Sequence, residues 1–547
     1  MSLAEATSEI SSERSCIKHL AFVAMKFSCL MVLFLIVTLS ADVQECENAT
    51  KKNGILTTGQ ESACKNDSQC TCTASTKKST YMTSLCFTCS GCSRIPDWLP
   101  RNTTELNMSG NCLENVIDAS FRHLPNLVSL DLSHCKIRRI RAGTFDCLTL
   151  LRVLNISTNP NIEKLSAELF SRLSNLSILV LRNIQNVCKI DGRFLLNLTG
   201  LSVFSYGKNH LINFPTFLSR QNNPLLPNLA KLNLEFNSIQ ALKKEHLRGL
   251  ENLRILILNK NQISYIESGT FLNLTALFRL ELNYNPLTKL EPDSFSSLSL
   301  EILSLAKSEY RPKDNIKLLW GLPNLKELNV SRSIGIFSAI APLKNQTSLE
   351  VLSARQDDLF DEDVSNMLTN VPHLRYLDLT DNNINVLENI PFHKLKSLEV
   401  LLLGRNWLIT VNATSLTKVT WAHLNRVDFS ANPLICDCGI VWFRRWLNTT
   451  QVIVDRREYI RCSAPEEVKN RILSEIPHPT DMECFQQKLD ESLVVGLIAI
   501  LVLLVYLLSL IVSVFYRFRW HLNYWYFRHK VSNYYYISTY KHKLNIK

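Results

Sequence analysis

Residues 374–384 read LRYLDLTDNNI, and this stretch carries the pattern that decides the fold. Leucines occupy its first, fourth and sixth places, Asn382 the ninth and Ile384 the eleventh. Apolar residues that alternate with others have the two-residue period of a strand with one buried face. The stretch therefore predicts a short strand whose leucines enter a core and whose intervening side chains face outward.

The same pattern recurs along most of the chain. Strong copies begin at Leu127, Leu151, Leu229, Leu253, Leu277 and Leu398, and weaker copies begin at Thr103, Leu176, Leu201, Leu300, Leu325, Leu349 and Leu424. The fourteen copies lie mostly 23 to 26 residues apart, with one interval of 28. A period of this length, held over so many copies, is the leucine-rich-repeat signature and predicts a solenoid.

Several residues of each repeat have an expected role in packing alone. Parallel strands about 4.8 Å apart would build a concave wall roughly 65 Å along its arc. The ninth-place asparagine lies where it can hydrogen-bond main-chain groups that burial would otherwise leave without partners. An apolar side chain six residues before the next repeat is expected to fill the convex edge of the core, at Phe121, Phe145, Phe170, Leu247, Phe271 and Phe392.

Composition and the N-terminus indicate a secreted or lumenal chain. Hydrophobic residues make up 46% of it, which is ample for a core, and 17 cysteines exceed ordinary cytosolic usage. Residues 25–44 read MKFSCLMVLFLIVTLSADVQ and have the form of a secretory signal peptide. We therefore predict a signal peptide over residues 1–41, with Met25 as an alternative start. A signal anchor is the other interpretation, but the apolar run is shorter than the ~20 residues a span needs.

A cysteine cluster precedes the repeats, at Cys46, Cys64, Cys70, Cys72, Cys86, Cys89 and Cys92. CxC and CxxC spacings can hold zinc, but disulfides are the expected state of a lumenal chain, so we predict no metal and no cofactor. The first strand of a solenoid needs a cap over its core, which we place at residues 42–102. Within the repeats, Cys135 takes the asparagine place and is predicted to be a buried thiol, whereas Cys112, Cys147 and Cys188 have no assignable partners.

The repeats, residues 103–434, end in a second cysteine motif. Residues 432–450 read NPLICDCGIVWFRRWLNTT, with Cys436 and Cys438 before an aromatic and basic helix and with Cys462 and Cys484 after it. We expect the helix to pack within a cap over residues 435–490 rather than to bind a ligand. Residues 493–515 then run without a charge, long enough to cross about 30 Å of hydrocarbon. Acidic residues precede this span and arginines follow it, so the positive-inside rule places residues 516–547 in the cytoplasm.

The order of solenoid, four-cysteine cap, single span and the following YRFRWHLNYWY resembles a Toll-like receptor with one C-terminal cysteine cluster. The resemblance covers residues 64 to about 526. It implies an α/β leucine-rich-repeat solenoid (horseshoe) with disulfide-bonded N- and C-terminal caps and a single transmembrane helix, at the cell surface or in the endosome. Similar caps in extracellular leucine-rich-repeat proteins imply that Cys436 pairs with Cys462, Cys438 with Cys484, Cys64 with Cys72, and Cys70 with Cys89.

One feature departs from that resemblance. Only 32 residues follow Phe515, fewer than the ~50 of a small domain, so the TIR domain of Toll-like receptors is not in this sequence. The tail lacks acidic residues and is interpreted either as a translated intron or alternative exon, or as a basic segment that holds anionic lipid. It supplies seven of the eleven net positive charges, so overall charge gives little support to a nucleic-acid ligand.

Twelve N-x-S/T sequons predict a glycosylated ectodomain, at Asn48, Asn66, Asn102, Asn107, Asn155, Asn175, Asn197, Asn273, Asn329, Asn345, Asn412 and Asn448. Three of them, Asn107, Asn155 and Asn329, fall at the outward fifth place of a repeat, where glycans would obstruct a large ligand on the concave wall. We therefore expect ligands on the flanks of the arc.

The ladder changes in the repeats between residues 300 and 374. Ser308, Ser333 and Asp357 replace asparagine there, which predicts altered curvature and a lateral cleft as the candidate ligand-binding region. Simple drift of the repeats is the alternative.

The sequence contains no phosphate-cradling glycine loop, nucleophile elbow or metal-ligand helix, so we do not expect an enzyme. Three interpretations remain. The first is a pattern-recognition receptor for a microbial ligand, alone or as a homo- or heterodimer with another Toll-like receptor, acting as decoy, co-receptor or truncated isoform. The second is an incomplete gene product of a receptor that signals through TIR. The third is a cell-surface tether or adhesion protein for a host protein such as a latent growth factor.

Overall fold

The computed structural model describes residues 70–78, 83–116, 118–184, 190, 192–308, 319, 321–333, 343, 346–416, 418–476 and 481–543. The predicted signal peptide, together with Cys46, Cys64, Asn48 and Asn66, lies outside this part. The described chain forms two compact units. The first unit contains the residues up to Leu434 with Thr449–Arg461, and the second contains Ile435–Asn448 with the residues from Cys462 onward.

A 17-stranded sheet organises the first unit. Its first strand, Thr71–Lys78, is antiparallel to the second. The other sixteen strands are parallel: Thr83–Ser90, Glu105–Asn107, Ser129–Asp131, Val153–Asn155, Ile178–Val180, Val203–Ser205, Lys231–Asn233, Ile255–Ile257, Arg279–Glu281, Ile302–Ser304, Glu327–Asn329, Val351–Ser353, Tyr376–Asp378, Val400–Leu402, Arg426–Asp428 and Ile453–Val454. Each of the fourteen predicted repeats contributes one strand, which starts at its third residue, so the predicted solenoid is confirmed.

The segments that return from one strand to the next contain only short elements. Two-residue strands lie at Asn115–Val116, Arg139–Ile140, Ala241–Leu242, Tyr265–Ile266, Lys289–Leu290 and Leu434–Ile435, and a three-residue strand at Cys462–Ala464. Short 3-10 helices lie at Asp118–Phe121, Gly192–Leu195, Lys244–Leu247, Phe392–Lys394, Cys438–Ile440, Arg457–Tyr459, Glu466–Val468 and Leu473–Glu475. The α-helices are Asp361–Leu368, Lys418–His423, Val441–Thr449 and Asp481–Lys543.

The core has two apolar spines, as the repeat pattern predicts. The middle residue of a typical strand, such as Leu377, is fully buried while its neighbours Tyr376 and Asp378 face the other way. Across the core, all six predicted spine residues are buried, with Phe121 and Phe145 showing no exposed surface. The ring centroids of these two phenylalanines lie 5.8 Å apart, a normal aromatic packing distance. The buried strand leucines and the spine residues therefore pack the core and have no other evident role.

Asparagine side chains at the ninth place join successive turns of the solenoid. The amide nitrogen of Asn382 donates to the carbonyls of Ala354 and Leu379 at 2.8 and 2.9 Å. Its Oδ1 accepts from the N–H groups of Asp357 and Leu359 at 3.0 and 3.1 Å. Similar bonds are made by Asn111, Asn159, Asn209, Asn237, Asn261, Asn285, Asn406 and Asn432. One side chain thus satisfies main-chain groups of two turns that burial removes from water.

A second set of asparagines precedes the strands and was not predicted. These residues stand immediately before the first leucine of a repeat, and their amide nitrogens donate to a carbonyl of the preceding repeat at 2.7 to 3.1 Å. The set comprises Asn126, Asn175, Asn228, Asn252 and Asn324. The sequence contained a signal, because five repeats carry an asparagine at this place. These asparagines are exposed, however, so the need to pair buried main-chain groups did not predict them.

The N-terminal cap is an antiparallel hairpin, and its disulfides correct the sequence prediction. Thr71–Lys78 pairs with Thr83–Ser90 in a register that sets Cys72 directly opposite Cys89, and these two residues are bonded. Cys70, just outside the hairpin, is bonded to Cys92. The predicted pairs Cys64–Cys72 and Cys70–Cys89 are therefore wrong, because directly opposed residues of an antiparallel pair come within about 4.5 to 5.5 Å between Cα atoms.

This hairpin also explains why a cysteine triad gathers at the start of the solenoid. The sulfur atoms of Cys70, Cys72 and Cys92 lie within 4.8 Å of one another, as in a metal site. All three sulfurs are already in disulfides, which gives their proximity a covalent cause. The strand Thr83–Ser90 pairs in parallel with Glu105–Asn107, so the hairpin covers the first repeat.

Other cysteines behave differently from one another. Cys135 is a buried free thiol, as predicted, and its Sγ donates to the carbonyl of Met108 at 2.9 Å. Burial raises the pKa of this thiol to about 12. Cys147 is a half-buried free thiol. Cys112, for which the sequence offered no partner, is disulfide-bonded, and its partner is not among the cysteines whose side chains are described.

The second unit contains a disulfide, a short amphipathic helix and a long one. Cys436 is bonded to Cys462, the pairing that the receptor caps imply, and Cys438 is disulfide-bonded. The side chain of Cys484 is outside the described part, so its predicted pairing with Cys438 stays a prediction. In the helix Val441–Thr449, Phe443 is fully buried and stacks on Trp446 with ring centroids 5.9 Å apart, consistent with the predicted packing role.

One helix of the described chain is long and apolar enough to cross a membrane. Asp481–Lys543 has 63 residues, and its candidate span is Val494–Val531. The predicted span, residues 493–515, lies at the start of that segment. The helix continues without a break through most of the basic tail.

We expect Asn382→Ala to lower the free energy of unfolding by about 2–4 kcal/mol, because it leaves main-chain groups of two turns without partners. Urea unfolding of the purified full chain, followed by far-UV circular dichroism, measures this change. Asn385→Ala, at an exposed place three residues away, is the control and should change stability by less than about 0.5 kcal/mol. Equal losses in both variants would contradict the bridging role.

Candidate ligand-binding surfaces

Two exposed surfaces of the described repeats lie at the strands and directly beside them. The sheet face comprises the outward side chains at the second to seventh places of the repeats. The edge row comprises the eighth-place residues of the thirteen repeats from Leu127 onward, which follow the strands and adopt left-handed backbone conformations, with φ between 53° and 65°: His134, Thr158, Asn183, Lys208, Phe236, Lys260, Tyr284, Lys307, Arg332, Gln356, Asp381, Arg405 and Ala431. None of these thirteen is a glycine, although glycine adopts this conformation most easily; in the first repeat the same place is Gly110, with φ 78°.

The charges on the sheet face are largely paired with one another. Arg279 contacts Glu281 at 2.6 Å and Arg375 contacts Glu399 at 2.7 Å. Further pairs join Arg182 to Glu235, Lys326 to Glu301, Arg355 to Asp378, Arg426 to Asp455 and Arg456 to Asp428. Partial burial also lowers the pKa of Lys231 and raises the pKa of Glu327. A ligand on this face would have to compete with these internal pairs.

Three predicted glycosylation sites lie on the sheet face. Asn107, Asn155 and Asn329 end their strands and are half-buried, and each Oδ1 accepts from the backbone N–H two residues on. Asn102, Asn175, Asn197, Asn273 and Asn448 are exposed, Asn412 is half-buried and Asn345 lies outside the described residues. Glycosylation at these sequons stays a prediction.

The three ladder substitutions point into the protein. Ser308 and Ser333 are fully buried and Asp357 is half-buried. Ser333 keeps one bridging bond, since its Oγ donates to the carbonyl of Leu305 at 2.8 Å, while Ser308 Oγ meets no partner in the described part of the chain. The two buried serines therefore present no surface to a ligand, and a ligand-binding role for this region stays a prediction. Residues 309–318 and 334–342, which flank them, lie outside the described residues, and the predicted lateral cleft stays a prediction.

Asp357 is electrostatically unusual. One carboxylate oxygen accepts from the N–H of Ser333 at 2.6 Å, and the other is buried without a hydrogen-bond partner among the described residues. Burial raises the pKa of this carboxyl from 3.8 to about 7. A carboxylate here lacks the donor N–H groups of the asparagine that it replaces.

A polar depression opens beside the edge row, at the C-terminal repeats of the first unit. Its volume is about 540 Å³, and its walls include Gln356, Asp358, Asp381, Arg405 and Trp407. The side chain of Trp407 is 60% exposed, which is uncommon for so large an apolar group. This site was not predicted from the sequence, although a tryptophan at the tenth place of a repeat, where packing does not require one, was a visible signal.

Comparison with known proteins supports the repeat architecture. A leucine-rich-repeat family model matches residues 125–187, 227–287, 252–309 and 370–432. Trophoblast glycoprotein of Macaca fascicularis is 27% identical over 266 residues, covering 48% of this chain and 55% of that protein. Toll-like receptor 3 of Bos taurus is 30% identical over 309 residues, covering 54% and 31%. The chain thus spans between about a third and just over half of the length of these relatives.

A solved structure shows the same fold. The crystal structure of a TLR13–ssRNA13 complex superimposes with a TM-score of 0.55 at 24% identity, covering 70% of this chain and 57% of that one. The chain is therefore a leucine-rich-repeat solenoid with a candidate membrane helix. Its relatives are receptors and binding proteins rather than enzymes.

Replacing Asp357 by asparagine should stabilise the fold more at high pH than at low pH. Because its pKa is raised, the folded chain holds a proton that the unfolded chain releases between about pH 4 and pH 7, so stability falls as the pH rises through that window. An asparagine removes this loss and restores a donor. We expect Asp357→Asn to gain about 1–2 kcal/mol at pH 8 and clearly less at pH 4.5, measured by thermal unfolding of the full chain.

The exposed neighbour Asp358 provides the matched control for this test. Asp358→Asn removes the same charge and should leave stability nearly unchanged at both pH values. If the Asp357→Asn gain were equal at pH 4.5 and pH 8, the buried carboxylate would not be its cause.

Proposed function

We propose that this chain is a single-pass type I membrane receptor of Toll-like type, which binds a microbial ligand or a receptor partner through its repeats. The observation that carries the proposal is a sheet to which each of the fourteen repeats contributes one strand, followed in the same chain by a helix apolar enough to span a membrane. In this orientation the repeats lie outside the cytoplasm and residues 516–547 inside it.

The binding surface in this proposal is the flank of the repeats. Support comes from the sheet face, where ion pairs such as Arg375–Glu399 occupy the charged side chains and where three sequons end strands. Most side chains of the edge row, and Trp407 in the polar depression, are exposed, and packing does not fix their identity. Charged and aromatic groups of this kind dominate recognition at protein interfaces.

A cell-surface tether or adhesion protein for a host protein is the second candidate. It is favoured by the similarity to trophoblast glycoprotein, which extends over 48% of this chain and is comparable in extent to the similarity to Toll-like receptor 3. A disulfide-bonded cap and a membrane helix serve either role equally well.

A binding panel separates the two candidates. The full chain in lipid nanodiscs is tested by surface plasmon resonance against a bacterial lipopeptide, flagellin, a single-stranded RNA, a latent growth factor and matrix proteins. Saturable binding of a microbial probe is expected. Binding of only the growth factor or matrix proteins would overturn the receptor proposal in favour of the tether.

Charge reversals then locate the surface. The flank pair Arg332→Glu with Asp358→Lys should weaken binding of whichever microbial probe binds in the panel by tenfold or more, because interface charges contribute on the order of 1–2 kcal/mol each. The sheet-face pair Lys231→Glu with Glu327→Lys has the same net charge change of zero and should weaken it less. Equal losses for the two pairs would contradict the flank assignment.

A further inference from the structure

One segment of the edge row has an unusual composition. In six consecutive repeats the eighth place carries Lys208, Phe236, Lys260, Tyr284, Lys307 and Arg332, a set we call the cationic edge. It contains four cations, two aromatic residues and no acid. The next residues in the same row are Gln356 and Asp381, so the segment ends at a change in charge.

Backbone hydrogen bonds fix the spacing of the cationic edge. The N–H of Lys260 donates to the carbonyl of Asn283 at 2.8 Å, that of Tyr284 to Ala306 at 2.8 Å and that of Lys307 to Ser331 at 2.8 Å. Each residue is thereby tied to the repeat that follows it. The cations therefore stand in a line on a rigid scaffold rather than on a loop.

The aromatic rings hold the lysine side chains in place. Lys260 Nζ lies 4.3 Å from the ring centroid of Phe236 and 5.2 Å from that of Tyr284. Lys307 Nζ lies 4.4 Å from the centroid of Tyr284. These are favourable cation–π distances. Because the contacts already restrict the two flexible lysine side chains, less conformational entropy is lost when they bind an anion.

Nearby carboxylates do not neutralise these lysines. Glu235 is engaged by Arg182 at 2.7 Å, and Glu281 by Arg279 at 2.6 Å. Within the described part of the chain, no carboxylate oxygen lies within 4 Å of the Lys260 or Lys307 ammonium. The pKa of the Tyr284 hydroxyl is lowered by its hydrogen bond from Lys307 and by the charges of Lys307, Lys260 and Arg332, which indicates a positive potential at this edge.

We infer that the cationic edge binds a linear sulfated glycan of the glycosaminoglycan class. A line of fixed cations complements a linear polymer that carries anionic groups at regular intervals. Single-stranded nucleic acid has the same charge, but its bases bind by stacking on open aromatic faces. Phe236 is already contacted by Lys260 and Arg182, and Tyr284 by Lys260 and Lys307, so these rings are occupied.

Heparin oligosaccharides are the probe for this inference. Binding to the full chain in nanodiscs is measured by fluorescence anisotropy across a salt series, because the slope of log K against log salt reports how many cations the polyanion engages. Desulfated heparin and a single-stranded poly(U) of similar length serve as competing probes. We expect heparin to bind, desulfated heparin to bind at least tenfold more weakly, and poly(U) to bind more weakly than heparin.

A matched pair of variants assigns the site. Lys260→Gln with Lys307→Gln should weaken heparin binding by about tenfold and reduce the salt slope by about 1 to 2. The control, Lys164→Gln with Lys394→Gln, removes two exposed lysines elsewhere and should change affinity less than about twofold. Thermal unfolding of both variants verifies that the fold is intact.

Three results would overturn the inference. Equal losses in the two variants would show that only net charge matters. Poly(U) binding as tightly as heparin, and lost in the Lys260 and Lys307 variant, would assign the edge to nucleic acid. Tight binding of desulfated heparin would show that the cationic edge does not recognise sulfate groups. None of these outcomes depends on the microbial ligand or receptor partner proposed above, so the two proposals can fail separately.

Discussion

Main-chain polar groups that are buried between the turns of the solenoid must find partners, and this requirement governs the rest of the structure. Each turn removes several N–H and C=O groups from water, at a cost of about 1–3 kcal/mol for every group left without a partner. The amide of a ninth-place asparagine meets this requirement for two turns at once, as at Asn382. Neighbouring strands are thereby fixed one repeat apart, and the eighth-place residue is held in its left-handed conformation beside each bridge.

That constraint divides each repeat into residues that serve the fold and residues that are free of it. Leucines, spine phenylalanines and ladder asparagines face inward, where packing fixes their type. Sheet-face residues are free of packing, but they lie close enough between neighbouring repeats to pair with each other, as Arg375 does with Glu399. The edge row projects beside the sheet, so its cations Lys260 and Lys307 contact rings in adjacent repeats and stay available to an external anion.

The limits of prediction from sequence follow the same division. All fourteen strands could be placed because the alternation that buries a leucine repeats at every turn, and Phe121 and Phe145 could be placed in the spine for the same reason. The disulfides of the hairpin could not, because the partner of Cys72 depends on strand register, and cysteine spacing does not encode register. Lys260 was visible in the sequence, but its contacts with Phe236 and Tyr284 required the geometry of neighbouring repeats. The polar depression around Trp407 was not predicted because its walls come from the four repeats that begin at Leu349, Leu374, Leu398 and Leu424. The sequence of each of these repeats, taken alone, does not indicate a binding site.

Freedom from packing also explains how a single edge can carry two surfaces of different chemistry. From Lys208 to Arg332 the row is cationic, whereas Gln356 and Asp381 begin a polar segment that leads to the exposed indole of Trp407. Changing the side chain at the eighth place alters neither the buried leucines nor the asparagine bridges, so such a boundary costs the fold little. A polyanion bound along the cationic edge would meet the carboxylate of Asp381 and stop there. The ligand or receptor partner proposed to bind at the depression would then bind beside the glycan rather than in place of it, because the two surfaces lie one after the other along the same row.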